Sequence, residues 1–445
     1  MGNVYSAPHI LGKIKELLTT IFSGESAPTR QHLIAFCLSI LGLDRCMTVK
    51  SAFQKFICYI LKFKLKSYYY LFKESKIFLD NWFEMIVKIM LSTIPHELND
   101  QPIIIIIDDT LVEKKGKKFD NIKTLFDHTC KNSSNYLDGH CFVTILMCIP
   151  VILGGKLQYI SGILGHRMWT GEKTKLEMAK DLVEMASSLI DKEKKIIVLF
   201  DSWYPKGIMC KICEKENICI ICNVRHDTAL YDLPPERTGK RGRPRQYGER
   251  ISFSDFSLKE ISGTNYNVGF RYVKTKIFRN RIVLAIITEN ISTKSRRLFI
   301  CTDEKISNLL NIDFISNNIK KYYIEDKKLL PLCIYSMRWS IETSFYELKT
   351  FWSFCKYMLR SKNGIERLVN LQSIVYTLMS VLPSIDGSYE FLAEMSIQER
   401  RFFLHRVFHR QIFIESFVQR LEISKKYPEL LEECKRLTFT DELAA

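Results

Sequence analysis

Aspartates follow two predicted buried strands of the chain. The first strand, Ile103–Ile107, is a β-branched run that leads into Asp108 and Asp109. The second, Lys194–Phe200, leads into Asp201. Functional groups gather at the carboxyl ends of strands in open α/β sheets, and paired carboxylates offer the oxygen ligands that Mg²⁺ prefers. The pattern indicates a metal site, although the alternative that each aspartate only caps the following turn stays open at this point.

A third carboxylate lies in a helix-forming segment farther along the chain. At about 100° per residue, four side chains of this segment fall within a stripe about 60° wide. They are Tyr335, Arg338, Glu342 and Lys349. Lys356 continues the stripe if the helix persists. The stripe favours a phosphate backbone lying along the helix beside a metal-binding Glu342; the alternative is a solvated face with ion pairs between neighbouring turns.

Secondary-structure elements must position these candidate residues, and the predicted secondary structure changes several times along the chain. Apolar residues recur at helical spacing in the N-terminal part, and strands then alternate with helices as in a three-layer α/β fold. A stretch of short strands follows, before helix dominates to the C-terminus. We predict a core of class α/β with a β-rich insertion and all-α N-terminal and C-terminal segments. The predicted boundaries are 1–98, 99–224, 225–331, 332–385 and 386–445.

Composition narrows the class of protein. Lys plus Arg number 65 and Asp plus Glu 49, so the formal charge is 65 − 49 = +16, and 47% of the residues are hydrophobic. Such a chain is globular rather than disordered, and its charge favours an anionic partner, by default nucleic acid. No apolar run reaches the ~18 residues of a membrane span, so we expect no membrane partner. The fourteen cysteines lie in apolar segments and favour reduced thiols over a disulfide framework.

The chemistry-bearing residues resemble those of a known family. The four residues of the stripe reproduce the Y-x2-R-x3-E-x6-K signature of bacterial insertion-sequence transposases of the DDE type. The segments IIIIIDDT and VLFDSWY resemble that family's first and second catalytic blocks. The resemblance covers roughly residues 100–380. It implies Asp108, Asp201 and Glu342 as catalytic and metal-holding residues, with Asp109 as the rival for the first position.

The resemblance also implies a fold and a reaction. The fold is a ribonuclease H-like core whose two parts, 99–224 and 332–385, are separated by the β-rich insertion. The cofactor is Mg²⁺, with Mn²⁺ able to substitute, in a two-metal site. The reaction is metal-dependent cleavage at the ends of an element followed by strand transfer into target DNA. Arg338 and Lys349 would bind phosphates, and Tyr335 would position a phosphate or sugar.

Partners and cell compartment follow from the same resemblance. The partner is double-stranded DNA, namely the terminal repeats of the element and the target, with the N-terminal helices as a DNA-binding domain. A homodimer assembled on DNA through the C-terminal helices is expected, in the bacterial cytoplasm and associated with the nucleoid. An inactive or repurposed DNA-binding protein, and a nuclease without strand transfer, are the alternatives. Some relatives stack a flipped base on an insertion-domain tryptophan, which this insertion lacks; for Trp203 we expect a packing role.

Basic segments suggest further DNA contacts. The loop around 240–245 contains R-G-R-P, similar to the core of an AT-hook, and its arginines could enter the minor groove of A·T-rich DNA. They are Arg241, Arg243 and Arg245. A solvated basic loop is the alternative. Lysines also interleave with aromatics in Lys62–Phe72, which fits either a core helix with a basic face or a DNA-facing surface.

Cysteine and histidine patterns are weaker signals. Cys210 and Cys213 pair with Cys219 and Cys222 at spacings that suggest zinc, but zinc ribbons usually separate the two pairs by more residues. The first pair lies on a predicted helix and the second on an apolar strand, so zinc is disfavoured and left open. For His128, His140 and His166 we expect structural roles.

Overall fold

A computed structural model describes most of the chain. The described residues are 7–44, 48–116, 118–127, 135–215, 217–236, 245–278, 281–303, 327–424 and 428–435. Within them the fold is a mixed α/β sheet with flanking helices. Arg241, Arg243 and His128 lie outside the described residues.

The described strands form a single twelve-stranded sheet. The strands are β1 (Ile103–Glu113), β2 (Lys123–Phe126), β3 (Tyr136–Leu153), β4 (Lys156–Met168), β5 (Ile196–Phe200), β6 (Ile218–Val224), β7 (Leu230–Tyr231), β8 (Arg250–Ile251), β9 (Lys259–Glu260), β10 (Tyr266–Thr275), β11 (Ile282–Asn290) and β12 (Arg296–Cys301). Their order is β2-β3-β1-β5-β6-β12-β11-β10-β7-β8, with β4 also paired to β3 and β9 to β10.

Strand β1 lies at the centre of the sheet. It pairs with β5 in parallel and with β3 antiparallel, and β5 pairs with β6 in parallel. Its residues Ile103–Ile107 are fully buried, because both faces of the sheet are covered there. The register sets Ile106 beside Leu199, so two residues farther on Asp108 comes beside Asp201. The fold thereby brings together two carboxylates that are distant in sequence.

The strands of residues 225–331 continue this same sheet. Strand β12 pairs antiparallel with β6, which sets Ile300 opposite Cys222, and β11 and β10 follow outward. The described strands of this segment are therefore joined to the core by backbone hydrogen bonds. Such a connection fixes their position relative to β1 and β5.

Helices cover the sheet and precede and follow it in the described part of the chain. They are α1 (Ala7–Ile21), α2 (Ala27–Gly42), α3 (Val49–Ala52), α4 (Cys58–Ile60), α5 (Leu65–Lys73), α6 (Leu79–Ser92), α7 (Lys175–Ser188), α8 (Gly207–Cys210), α9 (Leu330–Ser336), α10 (Trp339–Thr350), α11 (Lys362–Ile385), α12 (Ile397–Ser424) and α13 (Pro428–Lys435). A π-helical turn spans Phe53–Ile57, and 3-10 turns span His96–Leu98, Lys211–Glu214, Phe253–Asp255, Lys327–Leu329, Phe354–Lys356 and Gly387–Glu394.

Helix α11 is the central helix of the fold. By length and apolar composition it could cross a membrane, but it is buried continuously from Gly364 to Pro383 inside the protein. It packs on β4 and on the N-terminal helices α2, α5 and α6. The N-terminal helices consequently share one hydrophobic core with the sheet.

Arg367 on α11 joins the N-terminal helices to this core. Its guanidinium is buried and donates hydrogen bonds to the carbonyl oxygens of Leu71 (2.9 Å), Phe72 (2.8 Å) and Ser75 (2.5 Å). The last carbonyls of a helix have no partner within the helix. Arg367 therefore caps the C-terminus of α5 from another element.

We expect Arg367→Met to lower the free energy of unfolding by about 2–4 kcal/mol, because buried carbonyl groups lose their donors. Urea unfolding of the full chain measures this loss. Arg250→Met, at an exposed position, is the matched control. Equal stabilities of the two variants would contradict the capping role.

His166 is a buried histidine that stays neutral in the folded protein. Its Nδ1 lies 2.7 Å from Thr144 Oγ1 and its Nε2 lies 2.6 Å from Ser373 Oγ. Burial, with a smaller contribution from the nearby Arg167 charge, lowers the pKa of His166 to about 3. His140 likewise binds Tyr357 and the Asp120 carbonyl through its two ring nitrogens, and burial lowers its pKa.

Because His166 stays neutral when folded, we expect the free energy of unfolding to decrease as the pH falls below 6.5. Below pH 6.5 the unfolded chain binds a proton at residue 166 that the folded protein does not bind, so His166 contributes a loss of up to about 1.4 kcal/mol per pH unit down to about pH 3. We expect the free energy of unfolding of His166→Gln to fall less steeply between pH 6.5 and 4.5 than that of the wild type. Parallel pH profiles would refute this assignment.

Candidate active site

Asp108 and Asp109 lie within β1 rather than at its end. The strand continues to Glu113, which corrects the prediction that the run stops at the aspartates. It continues because residues 108–113 pair with 139–144 of β3. Side chains of consecutive strand residues point to opposite faces, so the two aspartates have different surroundings.

The side chain of Asp108 contacts the catalytic helix predicted from the sequence. Its Oδ2 accepts a hydrogen bond from Arg338 Nη1 at 3.2 Å, and its Oδ1 accepts one from the Asp109 backbone N–H at 2.8 Å. Only 18% of the Asp108 side chain is exposed. The carboxylate is therefore held in a largely closed position.

Asp201 follows β5 directly, as predicted. Its Oδ1 accepts a hydrogen bond from the Trp203 backbone N–H at 2.9 Å. Burial raises the pKa of Asp201, while this hydrogen bond and the Arg338 charge oppose the rise. The carboxylates of Asp108 and Asp201 are close enough for each to lie in the electrostatic field of Arg338.

Glu342 lies in the first turn of α10 and shares Arg338 with Asp108. Arg338 Nη2 donates to Glu342 Oε1 while Nη1 donates to Asp108. The predicted continuous helix across 335–349 is wrong in one respect: α9 ends at Ser336 and α10 begins at Trp339. Arg338 is consequently the residue that precedes α10, and it pairs with Glu342 four residues farther along the chain.

Negative charge is crowded around Asp108. Burial, followed by the charges of Asp201 and Asp109, raises the pKa of Asp108 to about 7. The Asp109 N–H and the Arg338 guanidinium only partly offset them. A site with this excess of carboxylate favours a bound cation.

Asp109 makes different contacts from those of Asp108. Its Oδ2 accepts from Lys175 Nζ at 2.9 Å and from Cys141 Sγ at 3.3 Å, and its Oδ1 accepts from Tyr204 OH at 3.0 Å. Lys175 and Tyr204 were not among the predicted site residues. Lys175 follows the helix cap Thr174 and Tyr204 ends the VLFDSWY block, but neither spacing indicates a contact with residue 109.

Tyr335 lies beside Arg338, whereas Lys349 has a separate environment. The Arg338 guanidinium carbon lies 5.9 Å from the centroid of the Tyr335 ring, and that ring packs edge-on against Phe299 with centroids 5.1 Å apart. Burial raises the pKa of the Tyr335 hydroxyl to about 12. Burial lowers the pKa of Lys349, and the charges of Cys355 and Asp127 oppose that shift.

Lys356 is not part of the stripe. Helix α10 ends at Thr350, and Lys356 is exposed in the 3-10 turn Phe354–Lys356. The prediction that it extends the helical face is therefore wrong, because the chain turns before reaching it. Arg245 is exposed, at the edge of the described residues.

The side chain of Trp203 is more accessible to solvent than the expected packing role would require. Its side chain contacts Tyr204 edge-on at 5.0 Å, yet the residue is 39% exposed. The ammonium groups of Lys175 and Lys206 lie 4.6 Å and 4.1 Å from its ring centroid. A basic and aromatic surface thus adjoins Asp201.

A cavity of about 740 Å³ opens beside Arg338. Its walls are mainly apolar and combine α9 and the start of α10 with the faces of β10–β12. Trp339 borders it and is 64% exposed. Arg338 is the residue that the cavity shares with the carboxylate site, because none of the three carboxylates is among the residues that line it.

Within the described residues, no group of three or more His, Cys, Asp or Glu side chains is arranged to hold a metal ion. Arg338 bonds to both Asp108 and Glu342, in the place where a cation would neutralise them. Among the cysteines of the predicted zinc pattern, Cys219 lies with its Sγ 3.8 Å from Cys301 Sγ on β12. The side chain of Cys213 lies outside the described part of the structure.

Comparison with protein families gives one match. Residues 168–262 match the family described as DDE superfamily endonuclease. The matched part contains β5, Asp201 and the first strands after β6, and it excludes Asp108 and Glu342. No curated protein sequence matches the chain. The similarity supports a nuclease-type domain in this part of the chain.

The two neighbouring aspartates are expected to differ in their effect on stability at pH 8 without divalent metal. Asp108→Asn removes one of several crowded negative charges and should raise the free energy of unfolding by about 1–2 kcal/mol. Asp109→Asn leaves the half-buried Lys175 without its carboxylate and should lower it by about 1–3 kcal/mol. Urea unfolding gives both values, and changes of the same sign would contradict the division of roles.

Proposed function

We propose that this protein is a DNA transposase of the insertion-sequence DDE type, in which Asp108, Asp201 and Glu342 form the catalytic triad. The observation that carries the proposal is the convergence of β1, β5 and α10 on one guanidinium. Arg338 binds Asp108 and Glu342 directly, and its charge also acts on Asp201. The match to DDE superfamily endonucleases over residues 168–262 supports the same reaction class.

The residues present suit a divalent metal. All three side chains are carboxylates, which are the ligands that Mg²⁺ and Mn²⁺ prefer. The proximity of Asp201 and Asp109 to the buried Asp108 supports a bound cation there. Asp108, Asp201 and Glu342 would hold the ions. Two bound ions would stabilise the attacking and leaving oxygens of a phosphodiester exchange.

The chain's other residues would bind and orient the substrate. Arg338 would exchange one or both of its carboxylate contacts for phosphate oxygens, which its planar fork fits. Lys349 and Tyr335 would contact a neighbouring phosphate or sugar. Asp109, fixed by Lys175 and Tyr204, would hold β1 in place so that Asp108 keeps its direction.

The proposed reaction has two balanced steps. Water attacks a phosphodiester at the element's end, so that one P–O bond forms and one breaks, and a 3′-OH is released. That 3′-OH then attacks a phosphodiester of target DNA, again exchanging one P–O bond for another and releasing a new 3′-OH. Neither step changes an oxidation state, so no redox cofactor is required.

The proposed architecture follows the same reasoning. The strand series β4-β3-β1-β5-β6 supports a ribonuclease H-like core in residues 99–224 and 332–385. Four of these strands run in one direction, and β3 runs in the opposite direction. Residues 225–331 would be the insertion and 386–445 the C-terminal helical segment. A homodimer on paired DNA ends, acting at the bacterial nucleoid, completes the proposal.

The decisive test is metal-dependent nicking. Purified protein is incubated with Mg²⁺ or Mn²⁺ and labelled duplexes taken from either side of its own gene. We expect nicks at a fixed position, and a rate at least about a hundredfold lower for Glu342→Gln. Glu113→Gln, at the exposed end of β1, is the matched control and should nick normally.

The products separate the remaining possibilities. Joined products with target DNA are expected of a transposase. Nicks without joining would mean a metal-dependent nuclease, and binding without nicks in any variant would mean an inactive DNA-binding protein. Equal nicking by Glu342→Gln and wild type would reject the assignment of the third carboxylate.

A further inference from the structure

Helix α5 presents a basic and aromatic face to solvent. Lys66, Tyr69, Tyr70 and Lys73 occupy positions i, i+3, i+4 and i+7 and are all exposed. The opposite side of the helix is buried in the N-terminal core through Tyr68, Leu71 and Phe72. The sequence left two interpretations of this segment open, a core helix with a solvated basic face and a DNA-facing surface. The structure shows a helix that packs on one side and faces water on the other, and the DNA-facing interpretation stays a prediction.

The chain before α5 extends this face. Residues 61–64 are extended, with Lys62 and Lys64 exposed between the partly buried Leu61 and Phe63. Two extended residues span about 6.6 Å, which is about twice the 3.4 Å rise per phosphate of one DNA strand. We define the α5 face as Lys62, Lys64, Lys66, Tyr69 and Tyr70.

The α5 face carries positive charge that forms no ion pair on Lys62, Lys64 or Lys66 within the described part of the chain. No Asp or Glu occurs between residues 50 and 73. Glu74, the next acid, pairs with Lys73 at 2.8 Å. Within the described residues, Lys62, Lys64 and Lys66 form no ion pair. Exposed lysines without acids, next to tyrosine hydroxyls that can donate to phosphate, fit a polyanion.

The face is held rigidly on the protein. The His32 ring stacks on Phe63 with centroids 4.0 Å apart, and its Nε2 lies 2.8 Å from Ser67 Oγ. At the other end, Arg367 of α11 caps the carbonyls of α5. Helix α11 follows α10, which carries Glu342. The cap therefore joins α5 to the helix that follows α10 in the chain.

We propose that the α5 face binds the phosphate backbone of duplex DNA and positions it for the carboxylate site. The proposal rests on the proposed function for the identity of the DNA, but the binding itself can be measured separately. Lysine ammonium groups act as point charges toward phosphates, so binding by this face is largely independent of base sequence. Each lysine should contribute about one unit to the salt dependence of the affinity.

The test compares two triple variants in the full chain carrying Glu342→Gln, so that the DNA stays intact. One variant changes Lys62, Lys64 and Lys66 to Gln. The control changes the exposed Lys156, Lys192 and Lys259 to Gln, which removes the same charge elsewhere. The probe is the labelled duplex from beside the gene, and its dissociation constant is measured at several NaCl concentrations.

We expect the slope of log affinity against log salt to become about 3 units shallower for the α5-face variant and to change by less than about 1 unit for the control. Equal slopes for the two variants would overturn the proposal. Nicking by the proteins that retain Glu342 separates the two claims. If they do not nick but the slope changes as expected, the proposed function fails while the α5 face stands; if they nick and the slopes are equal, only the α5 face fails.

Discussion

The pairing of Arg338 with both Asp108 and Glu342 is the interaction on which the site depends. Carboxylates that are crowded and shielded from water repel one another, and burial makes each more costly to ionise. One guanidinium relieves part of this cost by bonding to two of them. The rest of the fold can be understood as the framework that keeps these groups together against their repulsion.

That framework is built from elements distant in sequence. The parallel pairing of β1 with β5 brings residues 108 and 201 side by side. On the other face of β1, Asp109 bonds to Lys175 and Tyr204, so the strand is anchored from both sides. The two adjacent aspartates therefore have different surroundings. Asp109 is held by protein partners, whereas Asp108 has too few positive neighbours to balance the nearby carboxylates.

The sequence predicted the parts of the site better than their connections. Apolar runs located β1 and β5, since five consecutive buried β-branched or aliphatic residues are typical of a central strand. Helical spacing placed Arg338 and Glu342 close together. Helical spacing could not show the turn at residues 337–338 or the end of α10 at Thr350. The periodic pattern of residue types continues in the sequence even where the backbone leaves the helix. Lys356 was misplaced for this reason.

Contacts between residues that are distant in sequence could not be predicted. The bond from Lys175 to Asp109 and the capping of α5 by Arg367 join residues 66 and about 295 positions apart, with no local pattern to indicate them. The shared core of the N-terminal helices and the sheet likewise follows from tertiary packing. The fold class was accessible because it depends on periodicity, whereas the site's electrostatics depend on which distant charges meet.

The central claim is that Asp108, Asp201 and Glu342 together bind divalent metal, and Mn²⁺ binding followed by electron paramagnetic resonance tests it most directly. We expect saturable Mn²⁺ binding by the wild-type protein and strongly weakened binding by the variants Asp108→Asn, Asp201→Asn and Glu342→Gln. Glu113→Gln, outside the site, should bind as the wild type does. Equal Mn²⁺ binding by all of these proteins, or none by the wild type with duplex DNA present, would contradict it.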